Sequence, residues 1–301
     1  MKKNIIKFLI LSVIVLIISL IYINTNEGFQ NQENIKLIVT QHDGGFFSNF
    51  NKMMIYLIDN PNITSIEYNI IASPSNPPMY YVKNNEEVFS KLLENYDENV
   101  SIDKTITIST INNGFYNSPA NKLYFDSANN YNENRYKLEP FNKAYKKYIK
   151  IQQHILKKID AYMDIINEGN PQQLIGILVR SQAVQEGQNK SAISPQKYLD
   201  AINNINKDIS TKYFFCIDNK EDLDYYEEQL VPNFYLDLNR SENNLGDSPH
   251  VSDDVKSLDE LEKIFIQVVL LSKCDILVHC NSNMATTSLF MNMDQQSIFI
   301  E

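Results

Sequence analysis

The chain has 301 residues, enough for two α/β units of ordinary size, and a formal net charge of −10 at pH 7. A nucleic-acid-binding protein needs a basic face for the phosphates, so this charge argues against a nucleic-acid partner. Arginine is scarce: only Arg135, Arg180 and Arg240 occur.

The N-terminus predicts a membrane anchor. Three lysines in residues 1–7 precede an uninterrupted apolar run at 8–23. A helix drawn from Ile5 through this run is roughly 28 Å long, close to the ~30 Å hydrocarbon core of a bilayer. The lysines predict a cytosolic tail at 1–7, with the remainder of the chain across the membrane. No small-x-small cleavage site follows the run, which favours an uncleaved signal anchor over a signal peptide.

Cysteines and glycosylation sequons bear on the compartment only weakly. The cysteines form an odd set without CxxC spacing, which predicts buried free thiols and no zinc site: Cys216, Cys274 and Cys280. A Cys274–Cys280 disulfide in an oxidising lumen stays open as the alternative. Sequons occur at four asparagines: Asn62, Asn99, Asn189 and Asn239.

Beyond a polar stem at 24–34, the first half alternates strands with helices. Strands are expected at 35–40, 63–73 and 105–110, with an amphipathic helix after the loop "QHDGG". This order predicts a β-α-β-α-β unit.

Three further expectations concern the rest of the first half. The stretch "EEVFSKLLENY" predicts a helix at 86–96, and the Asn- and Tyr-rich residues 111–139 predict a long loop. Pro140 then begins a helix that runs to Asn167, where Gly169 and Pro171 follow. This long helix is predicted to bridge the two halves.

The second half repeats the alternation with five apolar strands: "LIGILV", "YFFCI", "FYLDL", "DILVH" and "SIFI". Continuously apolar strands separated by amphipathic helices predict parallel sheets covered on both faces. The predicted fold is therefore α/β, with two Rossmann-like domains at 35–168 and 169–301 whose parallel sheets face a cleft, in addition to the N-terminal transmembrane helix.

Ligands of parallel sheets bind beyond the carboxyl ends of the strands, so the residues that follow each strand are the candidate site. After the first strand, Gly44 and Gly45 permit a ligand to approach the backbone closely, and Ser48 and Asn49 can cap the helix that follows. A tight turn without any ligand is the alternative interpretation of the glycine pair.

The second half supplies candidates at three strand ends. Arg180 follows "LIGILV", where a guanidinium can hold a diphosphate and neutralise charge on a leaving nucleotide; a surface ion pair is the alternative. Asp218 follows "YFFCI" and can accept from ribose hydroxyls or cap the next helix. Asn281, Ser282 and Asn283 follow "DILVH" at a helix start, which suits a phosphate or ribose, or a plain helix cap.

Several enzyme classes lack their motifs. No GxSxG, GxGxxG or P-loop Lys-Ser/Thr pair occurs, so hydrolases, dinucleotide-dependent enzymes and P-loop NTPases are not favoured. The four histidines are too scattered to form a triad, and His154 is predicted to be structural.

Four stretches of the chain resemble one family in the same order. "LIGILVRS", "YFFCIDNKEDL" and "LLSKCDILVHCNSNMATTSLFMN" are similar to three motifs of the GDP-fucose-dependent fucosyltransferase superfamily, which includes α-1,6-, α-1,2- and protein O-fucosyltransferases. "GGFFSNF" resembles the N-terminal Gly-x-Phe-Gly-Asn loop of that superfamily. The resemblance runs in short blocks from about residue 36 to 300.

The resemblance implies a GT-B fold and an inverting transfer without a metal from a nucleotide-sugar donor, GDP-fucose in the first instance, to a glycan or glycoprotein hydroxyl. It assigns the β-phosphate to Arg180, the nucleotide to Asp218 and Ser282, and the sugar side of the cleft to Gly45 and Asn49. A type II anchor with a lumenal catalytic part suits transferases of the Golgi or ER.

The chain also departs from the pattern of that superfamily. Leu178 stands where the family has the His of His-x-Arg, Ser181 replaces a second Arg, and Gln267 replaces an acidic residue. Loss of the His and the acid predicts weaker guanosine recognition, so a different donor or a catalytically degenerate scaffold protein is the alternative function. Asp43 and Glu186 are the candidates for the general base.

Overall fold

The structure, a computed structural model, describes residues 33–40, 46–68, 88–109, 118–129, 131–180, 193–207, 210–240 and 258–301. The predicted cytosolic tail, the membrane anchor and most of the stem lie outside these ranges. Within them, no helix has the length and apolar character needed to cross a membrane.

The first sheet has four strands in the order β4-β2-β1-β5. Its parallel strands are β1 (Ile35–Thr40), β2 (Ile63–Tyr68) and β5 (Lys104–Ser109), with β1 in the centre. The edge strand β4 (Tyr96–Asp97) pairs antiparallel with β2, so the expectation of a purely parallel sheet is wrong at this edge.

The described part of the first half contains six helices, and a short 3₁₀ turn follows the fourth. They are α1 (Phe46–Asp59), α2 (Phe89–Leu92), α3 (Pro119–Asn129), α4 (Tyr131–Asn134), α5 (Glu139–Tyr148) and α6 (Gln153–Asn167); the 3₁₀ turn spans Arg135–Leu138.

The helix predicted at 86–96 is mostly wrong. In the part that the structure describes, only the four residues of α2 are helical, and β3 (Leu93–Glu94) and β4 follow at once. Leu93 and Tyr96 are buried. They lie in short strands because β4 hydrogen-bonds to β2 and β3 to β6 (Lys150–Ile151), and these partners are distant in sequence.

The long helix predicted from Pro140 to Asn167 is two helices, α5 and α6, separated by the strand β6. The break lies at Ile149–Gln152, where Gln152 donates from its side chain to the carbonyls of Ser90 (3.0 Å) and Leu93 (3.2 Å). The β-branched pair Ile149 and Ile151 also favours extended backbone. Contacts with residues 90–93 therefore override the helical periodicity.

The loop predicted at 111–139 contains helix α3, helix α4 and the 3₁₀ turn in its described part. Ala120, Tyr124 and Ala128 recur every four residues along α3 and are all buried. The many asparagines hid this period, because an Asn-rich composition is typical of loops.

The second sheet confirms the predicted parallel α/β unit. Its five strands have the order β11-β10-β7-β8-β9, and every pairing is parallel. The strands are β7 (Gln173–Val179), β8 (Thr211–Ile217), β9 (Asn233–Tyr235), β10 (Ile276–His279) and β11 (Gln296–Phe299). The helices between them are α7 (Pro195–Asn203), α8 (Lys220–Gln229), α9 (Leu258–Ser272) and α10 (Asn283–Met291).

The central strand β7 needs a glycine at position 176. A Cβ at Gly176 would lie 3.0 Å from both Cys274 Sγ and Leu271 Cδ2. The absence of a side chain therefore lets the end of α9 approach the centre of the sheet. Cys216, Cys274 and Cys280 are buried and form no disulfide, so the expectation of unbridged thiols is confirmed and the alternative Cys274–Cys280 disulfide is not formed.

The two halves share one core. Phe47 of α1 stacks on Phe265 of α9 with ring centroids 6.4 Å apart, and Phe50 stacks on Phe290 of α10 at 6.3 Å. All four rings are buried. Burial of apolar surface therefore stabilises the contact between the halves as well as each half.

Candidate functional site

The second sheet reverses its direction of growth between β7 and β10. The chain runs from β7 outward through β8 and β9, then returns to place β10 on the other side of β7. In open parallel sheets, ligands bind outside the carboxyl ends of the strands at such a reversal. Arg180 follows β7 and Asn281 lies just beyond β10, so the order of strands brings together residues about 100 positions apart.

Arg180 and Asp218 form an ion pair at this edge. Arg180 Nε lies 3.5 Å from Asp218 Oδ2, and the two side chains are only 15% and 11% exposed. Arg180 Nη1 also lies 3.7 Å from Met284 Sδ in the first turn of α10. Arg180 therefore does form an ion pair, as in the alternative interpretation, but a mostly buried one; its predicted contact with a diphosphate stays a prediction.

Asp218 does not cap helix α8, which was its alternative role. Asn219 is the N-cap residue, because its side-chain oxygen accepts from the backbone N–H of Asp222 at 2.7 Å. The Asp218 carboxylate instead lies beside the guanidinium of Arg180.

Arg240 lies at the same edge and was missed as a candidate. Its guanidinium donates to the backbone carbonyls of Ile217 (3.0 Å), Leu238 (3.1 Å) and Leu236 (2.7 Å). Burial lowers its pKa, and the group lies 5.3 Å above the ring of Tyr235. The signal available in the sequence was its rarity: two of the three arginines of the chain follow strands of this sheet.

A small pocket of about 50 Å³ lies between these side chains and helix α9. It contains two guanidinium groups and two carboxylates, those of Asp218 and Glu260, so its formal charges balance. Sites for whole small molecules measure roughly 300–1,000 Å³, so the pocket is of a size for one edge of a larger ligand. It is lined by Leu178, Val179, Arg180, Cys216, Ile217, Asp218, Leu238, Asn239, Arg240, Glu260, Ile264, Gln267 and Met284.

The three polar residues after β10 hold the start of α10 in place. Ser282 is its N-cap, and its Oγ accepts from the N–H of Ala285 at 3.0 Å. Asn281 Nδ2 donates to the carbonyl of Ala128 (3.1 Å), and Asn283 Oδ1 accepts from Tyr124 OH (2.6 Å). These side chains therefore have structural roles, and their predicted contact with a nucleotide stays a prediction.

The remaining candidates divide between the core and the part of the chain that is not described. Asn49 lies on α1 and is only 1% exposed. Asp43, Gly44, Gly45 and Glu186 lie outside the described residues, so the predicted glycine loop and both candidate bases stay predictions. Among the residues that the structure does describe, no three His, Cys, Asp or Glu side chains form a group suited to a metal ion.

His279, at the end of β10, is a structural residue. It has no exposed surface, its Nδ1 lies 3.0 Å from the carbonyl oxygen of Cys280, and its Nε2 lies 2.8 Å from Ser297 Oγ. A carbonyl only accepts, so Nδ1 carries the proton and Nε2 accepts from the serine hydroxyl. Burial lowers the pKa of His279 to about 4, and the nearby guanidinium of Arg135 acts in the same direction.

This pKa predicts a loss of stability in mild acid. In the unfolded chain His279 has its ordinary pKa of 6.5, so it binds a proton below that pH. In the folded state it stays neutral until about pH 4. The contribution of neutral His279 to the free energy of unfolding is fully present above the pKa of the unfolded state. The free energy of unfolding falls by about 2 kcal/mol between pH 7 and pH 5. Urea unfolding of His279→Gln at both pH values should show a smaller loss than the wild type. His154→Gln, which removes an exposed imidazole, serves as the control, and an equal loss in all three proteins would contradict the prediction.

The fold is similar to that of solved fucosyltransferases. The α-1,6-fucosyltransferase NodZ soaked with GDP-fucose matches with a TM-score of 0.50 and 14% sequence identity over 86% of this chain and 93% of that chain. NodZ from Bradyrhizobium matches with the same TM-score and identity over 86% of this chain and 91% of that chain. POFUT1 in complex with GDP has a TM-score of 0.40 and 9% identity, over 88% of this chain and 98% of that chain.

No family model matches the sequence, and no curated protein matches it either. The fold that the resemblance implied is confirmed by the match to NodZ. This chain has the α/β fold of the fucosyltransferase NodZ, over most of the length of both proteins.

Proposed function

We propose that the protein is a glycosyltransferase that moves a sugar from a nucleoside-diphosphate donor to a hydroxyl of a glycan or a protein. One observation carries the proposal: Arg180 and Arg240 converge with Asp218 on a pocket at the reversal point of a parallel sheet. Guanidinium groups are the side chains best matched to phosphate oxygens, and that edge is where such sheets bind nucleotides.

The proposed donor is GDP-fucose. NodZ, which shares the fold, was soaked with GDP-fucose or co-crystallised with GDP. The β-phosphate of the donor is assigned to Arg180, and its nucleotide to the edge formed by Asp218 and the start of α10. Gly44, Gly45 and Asn49 are proposed for the sugar side.

The proposed transfer inverts the anomeric carbon and uses no metal ion. The acceptor oxygen bonds to that carbon on the face opposite the diphosphate, while the bond from the carbon to the phosphate oxygen breaks and its electron pair leaves on the diphosphate. Arg180 stabilises the negative charge that grows there. Its guanidinium is already positioned by the ion pair with Asp218, and its side chain is only 15% exposed to solvent. The acceptor proton passes to a carboxylate, for which Asp43 and Glu186 are proposed.

We further propose that residues 8–23 anchor the chain as a type II membrane protein with its catalytic part in the lumen of the Golgi or ER. The apolar run and the preceding lysines support this placement.

The function is tested with the full-length protein in detergent and a panel of donors. GDP-fucose, GDP-mannose, UDP-galactose and UDP-glucose are each supplied with a mixture of glycan acceptors, with and without a metal chelator. We expect transfer from GDP-fucose, or failing that from another donor of the panel, at a rate the chelator does not change. Binding of a donor without any transfer would favour the degenerate scaffold protein, and absence of both binding and transfer would overturn the proposal.

A further inference from the structure

One of the four sequons lies in an exposed turn. Asn99 follows the edge strand β4, and every residue from Asp97 to Lys104 is exposed. Asn99 has a φ of 55°, a left-handed backbone conformation that asparagine tolerates better than most residues. Its backbone N–H donates to Asp97 Oδ1 at 2.8 Å, whereas its side-chain amide makes no hydrogen bond with the described residues. The turn therefore presents the amide of Asn99 to solvent.

The other sequons have different surroundings. Asn62 is half-buried in the turn before β2, and the hydroxyl of Thr64, which completes its sequon, is buried within that strand. Asn239 lines the pocket of the proposed site, where a glycan would obstruct a donor. Asn189 lies outside the described residues. Among the sequons whose asparagine the structure describes, Asn99 is thus the one best placed to carry a glycan.

Apolar side chains next to Asn99 provide a surface for a glycan to cover. Val100 and Ile102 flank the serine of the sequon and are 40% and 36% exposed. They lie beside β4, an edge strand of the first sheet, and exposed edges with apolar side chains are sites at which other chains can pair. A glycan is bulky and hydrophilic, so on Asn99 it would shield this edge and keep it soluble.

The turn lies away from the candidate site. The backbone N–H of Glu98 donates to the carbonyl of Thr64 at 2.9 Å, near the beginning of β2. The turn is therefore at the amino ends of the parallel strands. The candidate loop with Gly44 and Gly45 follows the carboxyl end of β1, at the opposite edge of the same sheet. A glycan on Asn99 would leave that edge accessible.

We propose that Asn99 is a site of N-linked glycosylation. The inference goes beyond sugar transfer by this protein, and it rests on the lumenal placement proposed above. An oligosaccharyltransferase of the secretory pathway would act on Asn99-Val100-Ser101 with a lipid-diphosphate-linked oligosaccharide as donor. The nitrogen Nδ2 of Asn99 bonds to the anomeric carbon of the oligosaccharide and loses a proton. The bond from that carbon to the phosphate oxygen breaks, and the lipid diphosphate leaves with the electron pair.

The test uses the full-length protein, expressed in cultured eukaryotic cells with a second sequon in a tag after Glu301. Gel mobility is compared before and after treatment with a peptide-N-glycosidase. Asn99→Gln and Ser101→Ala are each expected to lose one glycan relative to the wild type, and Ser101→Thr, which restores the hydroxyl, should keep it. Asn62→Gln is the matched control and should leave the mobility unchanged. The glycosidase should also release the glycan at Asn99 from the folded protein, because the turn is exposed.

The tag separates failure of the inference from failure of the proposed placement. If the tag is glycosylated and Asn99→Gln has the mobility of the wild type, Asn99 is not the site, whereas the lumenal placement stands. If the tag carries no glycan, the lumenal placement fails and the inference falls with it. Neither result changes the donor panel, which tests the transferase proposal independently.

Loss of the glycan in Ser101→Ala and its retention in Ser101→Thr would exclude an indirect effect of misfolding, because both variants change the same exposed residue.

Discussion

Replacing Arg180 by alanine is expected to reduce kcat/KM for sugar transfer by about 10²–10³-fold. The guanidinium lies at the carboxyl end of the central strand, held between Asp218 and Met284, where charge on a departing diphosphate would develop. Loss of one preorganised donor to such a charge typically costs this much in rate. Initial rates with GDP-fucose, or with whichever donor the wild type uses, measure the effect.

Two control variants separate the chemistry from general effects of charge and stability. Arg180→Lys keeps the positive charge but cannot bind a phosphate through two parallel hydrogen bonds, so it should recover only part of the rate. Lys143→Ala removes a cation whose side chain is 74% exposed on α5 and should leave the rate unchanged. Full turnover by folded Arg180→Ala would show that the guanidinium does not hold the leaving group.

Replacing Asn51 by alanine is expected to lower the free energy of unfolding by about 2–4 kcal/mol. This buried side chain of α1 donates to Tyr124 OH (2.8 Å) and to the carbonyl of Asn283 (3.2 Å), and it accepts from Thr287 Oγ1 (2.8 Å). It therefore joins α1, α3 and α10. Its removal leaves buried polar partners unsatisfied inside a connected network, where the penalties are high.

Urea unfolding at pH 7 measures this effect, with Asn203→Ala as the matched control. Asn203 is exposed at the end of α7, and its side chain accepts from Lys207 (3.2 Å), so its loss should change stability by less than about 0.5 kcal/mol. Equal free energies of unfolding for the two variants would mean that this hydrogen-bond network does not stabilise the contact between the two halves. Because Asn51 also contacts the start of α10, Asn51→Ala should weaken donor binding as well.

The order of elements in the second half was predictable because its signals are local. Runs such as "LIGILV" and "YFFCI" are apolar throughout, and a strand buried on both faces needs no partner to be recognised. Once β7 and β8 are placed, Arg180 and Asp218 are known to follow their carboxyl ends. The pattern of strands placed each residue at a strand end, and the ion pair between the two side chains is a finding of the structure.

The first half was predicted less well because its elements depend on distant partners. Residues 93–97 have a helical pattern and become strands when they pair with Ile66 and Ile151. Helix α3 has weak helix formers, and it is stabilised by contacts of Tyr124 and Ala128 with the α10 region. Tertiary contacts override propensity at these positions.

The sequence by itself determined that the chain is α/β and which strands are buried. It also determined that Arg180 follows one of these strands and Asp218 another. Only the tertiary structure decided that Arg240 turns back to the same pocket, that Gln267 faces it, and that Asn281, Ser282 and Asn283 hold a helix start. The physical reason is separation along the chain. Asn51 and Asn283 are 232 residues apart and share a hydrogen bond, and no local periodicity carries information about a partner at that distance.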